Sequence, residues 1–107
     1  MKIAACALNQ TPLDWTGNIE RILQGTDKAR KAGAGLVLFP ELALTGYGCE
    51  DYFFMPWLHQ KALENLHSQI VPASLGILLA VGMPYFHKGI LHNCIAVCQD
   101  GKLEGLY

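Results

Sequence analysis

The sequence predicts an α/β domain built on a largely parallel sheet. Three observations point there. Continuous apolar runs stand at residues 2–8 (KIAACAL), 36–39 (LVLF) and 77–84 (ILLAVGMP), and unbroken runs suit strands of a parallel sheet covered on both faces. Apolar residues at helical spacing fill the stretches between these runs. Asp100-Gly101 then gives a strong hairpin signal near the end. With 107 residues there is room for one domain, able to bury roughly 65% of its unfolded surface.

Residues 2–8 read as a buried strand. QTPLD is a turn in which Asp14, or Thr16 just beyond it, is available to cap a helix. From about Trp15 to Gly33 the apolar residues Ile19, Ile22, Leu23, Ala29 and Ala32 recur at helical spacing, with Asn18, Glu20, Arg21, Lys28 and Lys31 between them as a solvated face. Gly33 and Gly35 bracket the helix end before LVLF. Such a strand–helix–strand unit places its two strands parallel and adjacent. Leu58, Ala62, Leu66 and Ile70 form a second stripe, widened by Leu63; Pro56 suits a first helical turn and Pro72 a stop. After the strand at 77–84, residues 85–89 are expected to turn the chain. HNCIAVC then forms a strand and KLEGLY returns antiparallel to it. Tyr107 falls inside that last strand, so the hairpin reads as cut short.

Hydrophobic residues make up 51% of the chain and charged residues 16%, with a net charge of -1. That is apolar for a small domain and implies a partner or a larger whole. There is no basic field to attract nucleic acid or an anionic membrane. No run approaches the roughly 18 apolar residues of a membrane span. The opening MKIAACALNQ is too short and strand-like for a signal peptide, so a cytoplasmic location is expected. Cys6, Cys49, Cys94 and Cys98 form no CxxC pair. Cys94 and Cys98 would face one side of a strand about 13 Å apart, beyond disulfide reach, and free thiols in a reducing compartment are expected. His59 and His67 lie two helical turns apart, and His87 and His92 flank a turn without a carboxylate or thiol at ligand spacing. No metal site is expected.

Chemistry concentrates in LVLFPELALTGYG, residues 36–48. Ligands of parallel sheets bind outside the carboxyl ends of the strands, and Glu41 stands there. Pro40 lacks an N–H, so it ends regular pairing and sets the direction in which the chain leaves. If Leu42, Leu44 and Tyr47 wall the carboxylate, desolvation should raise its pKa and make it a usable general base. The plainer reading is a carboxylate that caps or salt-bridges a strand end. Cys49, in the same loop, lacks a neighbouring His or oxyanion motif and is a poor nucleophile candidate. The remaining cysteines read as small core residues. Tyr52, Phe53, Phe54 and Trp57 read as core packing, with an oligomer or interdomain surface as the alternative.

FPELALTGYGCEDY resembles the nitrilase, or carbon–nitrogen hydrolase, superfamily. It is most similar to the branch forming the N-terminal glutaminase domain of glutamine-dependent NAD synthetases. KIAACALNQTPLDWTGN and AVGMPYFHKGILHNCIAVCQDGKLEGLY extend the resemblance along the chain. It implies an αββα sandwich of four layers, of which residues 1–107 are the N-terminal portion. It also implies a Glu–Lys–Cys constellation in which Glu41 is the base, and gives Tyr47 a place lining the glutamine pocket or an ordinary packing role. Gly82 and Asn93 also match the family pattern; both read as structural, for close packing and loop hydrogen bonds respectively. The family's Lys and nucleophilic Cys are expected beyond residue 107. Lys102 is not that lysine, because it belongs to the hairpin turn. The parent activity implied is hydrolysis of glutamine to supply ammonia for NAD synthesis from deamido-NAD, in a homo-oligomer. ATP and Mg would belong to a synthetase domain outside these residues. The 107 residues alone are expected to be inactive. The alternatives are another amide or nitrile substrate, or a catalytically dead interaction module.

Overall fold

Five strands form one sheet in the order β1-β2-β3-β4-β5 in the computed structural model, which describes residues 1–107. β1 (Ile3–Ala5), β2 (Leu36–Leu38) and β3 (Leu78–His87) are parallel, with Ile3 opposite Leu36 and Leu36 opposite Leu78. β4 (Ile90–Gln99) and β5 (Lys102–Leu106) complete the sheet antiparallel. The parallel half follows from the two helical crossovers, and the antiparallel half from two tight turns. Lys88-Gly89 and Asp100-Gly101 both take positive φ at each central residue, the conformation of two-residue hairpin turns whose twist matches the strands. The first of these corrects an expectation. Residues 85–87 do not turn; they continue β3, and only Lys88 and Gly89 reverse the chain.

α1 (Trp15–Lys31) starts where Asp14 accepts a hydrogen bond from Gly17 N at 3.1 Å, which satisfies an otherwise orphaned helix donor. Its last turn carries Lys28, Arg30 and Lys31, the charge that suits the negative end of the helix dipole. α2 (Pro56–Asn65) has Pro56 in its first turn, and runs on as a π-helical turn over Leu66–Ile70 and a 3-10 turn over Val71–Ser74. Leu58, Ala62, Leu66 and Ile70 are all fully buried, as their spacing predicts. Ile19, Ile22 and Ala29 of α1 join Ala62, Leu66 and Ile70 over Val37, Leu79, Val81, Met83, Ala96 and Cys98 of the sheet.

Two residues of the expected α1 pattern are reversed. Ala32 is exposed, because the helix has ended before it. Asn18, expected on the solvated face, is fully buried. Its side chain accepts from Thr11 N at 2.9 Å and from Arg21 Nη2 at 2.9 Å, and donates to Thr11 O at 2.8 Å and Leu44 O at 3.4 Å. Satisfied polar groups can be buried, and this one joins the helix start to two loops.

The helices cover one face of the sheet only. Strand alternation and the register place Ile3, Leu38 and Ile95 together on the other face, and they are 59%, 41% and 50% exposed. β1 is therefore not the buried strand expected from its run of apolar residues: it is three residues long and lies at the sheet edge. The chain forms one helix layer on one sheet. The aromatic segment also departs from expectation. Glu50–Phe54 is a 3-10 turn, and Tyr52, Phe54 and Trp57 stand at the surface instead of in the core. Only Phe53 is half-buried.

Candidate active site

Glu41 leaves the sheet two residues after Phe39, whose N–H still bonds Ala80 O at 2.9 Å, and directly after Pro40. The loop behind it is apolar because it is packed inside the protein. Ala43, Leu44 and Thr45 are buried. Their carbonyls are bound from the α1 side: Gln10 Nε2 donates to Ala43 O at 2.7 Å, Asn18 Nδ2 to Leu44 O, and Leu13 N to Thr45 O at 2.9 Å. Leu44 N in turn donates to Gly82 O at 3.2 Å on β3. A buried loop needs such partners for its polar backbone.

Gly82 is what lets the loop lie so close. A Cβ there would sit 2.5 Å from Leu42 N and 2.6 Å from Pro40 O, both backbone atoms that cannot swing away. The close-packing role expected for this glycine is thus directed at the Glu41 loop itself.

The Glu41 side chain points the other way and is exposed. The wall of Leu42, Leu44 and Tyr47 expected around it does not exist: Leu44 faces the core, and Tyr47 is 67% exposed. In place of a wall there are two donors. Tyr47 Oη donates to Glu41 Oε2 at 2.8 Å, and Asn93 Nδ2 donates to Glu41 Oε1. An ionised carboxylate only accepts, so the Asn93 amide must present its NH2. Tyr47 responds to this company. Its hydrogen bond to Glu41, and then the carboxylate's charge, hold the phenol above its ordinary value.

Glu41 and Asn93 border an open recess of about 310 Å3, together with Phe39, Gly82, Ile95 and Tyr107. The recess lies toward the bare face of the sheet, where Ile95 is exposed. Asn93 is the residue whose role sequence reading missed. It belongs to strand β4, opposite Pro84, not to a loop, and only the sheet brings it 52 positions back to Glu41. Its match to the family pattern was the available signal.

Cys94 also borders the recess, but burial holds its thiol above the ordinary value, so it is not an activated nucleophile. All four cysteines are free, and burial holds each above the ordinary thiol value, with Cys98 pushed up to about 11 by burial and by the Glu104 charge. Cys49 is buried and its S–H faces Thr45 O at 3.4 Å and Gly46 O at 3.5 Å, so it braces the loop. Lys102 opens β5 beside the Asp100-Gly101 turn. The four histidines do not converge: His59 lies tilted against Phe86 with ring centres 5.3 Å apart, and the ring centres of His87 and His92 are 6.4 Å apart.

Compared with known proteins, residues 2–107 match the carbon–nitrogen hydrolase family. The glutamine-dependent NAD(+) synthetase of Saccharomyces cerevisiae is 40% identical over 103 residues, 94% of this chain and 14% of the relative. That of Rattus norvegicus is 37% identical over 102 residues, with the same coverage of each. The crystal structure of a glutamine-dependent NAD(+) synthetase from Cytophaga hutchinsonii superposes with a TM-score of 0.93 at 36% identity, over 97% of this chain and 18% of that one. A Nesterenkonia amidase of the nitrilase superfamily shares the fold, with a TM-score of 0.84 at 23% identity over 100% of this chain and 42% of its own. The chain thus spans about one seventh of the length of the curated relatives it matches. It belongs to the carbon–nitrogen hydrolase family.

Proposed function

We propose that these residues supply the general base of a glutaminase site, Glu41, in a polypeptide that hydrolyses the side-chain amide of glutamine and delivers ammonia to ATP-dependent NAD synthesis from deamido-NAD. The observation that carries the reading is a carboxylate at the carboxyl end of β2, oriented by two neutral donors at an open recess. Similarity to named synthetases supports the substrate. The nucleophilic Cys and the oxyanion-stabilising Lys come from beyond residue 107. Glu41 takes the thiol proton as sulfur attacks the amide carbon, and returns it to the departing nitrogen, leaving a thioester and ammonia. It then takes a proton from the water that attacks the thioester, and glutamate leaves as the thiol is restored. We assign Tyr47, exposed and hydrogen-bonded to Glu41, to the glutamine pocket; its support is that contact and the family resemblance.

On this reading the partners are glutamine, the remainder of the same polypeptide and further copies of it, in the cytoplasm. ATP and Mg belong to a synthetase part. No group of three or more His, Cys, Asp or Glu is gathered here that could hold a metal ion.

The test is a full-length chain in which these residues replace the matching segment of the Saccharomyces cerevisiae relative. It should release ammonia from glutamine, and Glu41→Gln should lower kcat by about 10²–10⁴-fold. A chimera that hydrolyses short aliphatic amides but not glutamine would favour the second enzymatic reading, an amidase of the same superfamily. One that folds yet hydrolyses neither would leave an interaction module.

A further inference from the structure

Two asparagines of this chain are tied into tertiary structure, and they are tied differently. Asn18 is buried, with four side-chain hydrogen bonds spread over the Thr11 backbone, Leu44 O and Arg21. It is a structural residue. Asn93 is exposed and makes one side-chain hydrogen bond, to Glu41 Oε1 across the sheet. Nothing in the core depends on it. From this contrast, and resting on the glutaminase reading above, we infer that Asn93 is a positioning residue that sets the plane and direction of the Glu41 carboxylate for proton transfer.

The chemistry of the donor explains the choice. A carboxylate has about four lone-pair sites. Tyr47 occupies one on Oε2 and Asn93 one on Oε1. Two donors on different oxygens define the carboxylate plane and still leave a lone pair on each oxygen to take a proton. A Lys or Arg in Asn93's place would bring a positive charge and make the base weaker. A neutral amide orients the group without that effect. Placement is secure on both sides. Asn93 sits on a strand paired along its length with β3, and the Glu41 backbone lies against Gly82 of the same β3, where no side chain intervenes. One strand pair therefore sets the distance between tether and base. Loss of aim by about 1 Å can cost about 10²-fold in rate.

The test uses the same full-length chimera with glutamine as substrate. Asn93→Ala should lower kcat by about 10–10²-fold while KM stays within about twofold, since the tether acts on the base and not on bound substrate. In a Glu41→Gln background, Asn93→Ala should cause no further loss. Melting temperature should be unchanged, as expected for an exposed side chain. An active parent whose kcat is unaffected by Asn93→Ala overturns the inference, as does a rise in KM alone or an additive loss on top of Glu41→Gln. A parent that does not hydrolyse glutamine overturns the glutaminase reading, and the role of Asn93 with it.

Discussion

Tyr47 offers the most direct check on the Glu41 clamp. Its phenol is held above the ordinary value of 10.0 first by the hydrogen bond to Glu41 and then by that residue's charge. Glu41→Gln removes the charge and should bring the Tyr47 titration down, measurable by absorbance against a Tyr47→Phe control; an unchanged titration would mean the pair is not formed in solution. A raised folded-state value favours the native chain below pH 10 and the contribution fades as pH rises through the Tyr47 value. Gly82 makes the opposite kind of contribution, through space. Gly82→Ala puts a methyl against Leu42 N and Pro40 O and should cost about 1–3 kcal/mol, a fall in Tm of roughly 5–20 °C. A wild-type Tm in that variant would show that the loop relaxes freely.

At the scale of elements, α2 and α1 are held in different ways. The α2 stripe is held by burial alone, so Leu66→Ala should cost about 2–5 kcal/mol, read as a lower urea midpoint at unchanged slope. A cost under about 1 kcal/mol would mean the stripe does not anchor the helix to the sheet. The start of α1 is held by polar contacts. Asn18→Leu leaves Thr11 N–H and Leu44 O without their side-chain partner and should cost about 1–3 kcal/mol, despite adding an apolar side chain to the interior. The Glu41 loop should feel that change through Leu44 O, whereas it should not feel Leu66→Ala.

The whole molecule has one covered sheet face and one bare one. Ile3, Leu38 and Ile95 share the bare face, and contiguous apolar surface of this kind drives association. The isolated 107 residues should therefore self-associate in sedimentation velocity at micromolar concentration. Leu38→Lys combined with Ile95→Glu should shift them toward monomer, while Phe54→Ser with Trp57→Ser in the exposed aromatic segment should shift them less. Equal effects of the two pairs would mean that the aromatic surface is the stronger contact.

Much of this protein was decided by the order of its residues. Unbroken apolar runs, the Leu58–Ile70 stripe, Asp14 before Trp15 and Asp100-Gly101 are local signals, because strand, helix, cap and turn depend on neighbours a few positions away. The motif around Glu41 also marked where this carboxylate leaves the sheet. Tertiary structure decided which face each element shows and what stands beside Glu41. Apolar runs look alike whether one face or both are covered, so β1 was misjudged. A buried Asn is indistinguishable in sequence from a solvated one until its partners at Thr11 and Leu44 are in place. The Asn93 tether exists only because the β2–β3–β4 register carries it across 52 residues to Glu41, and such distances in sequence leave no periodic trace.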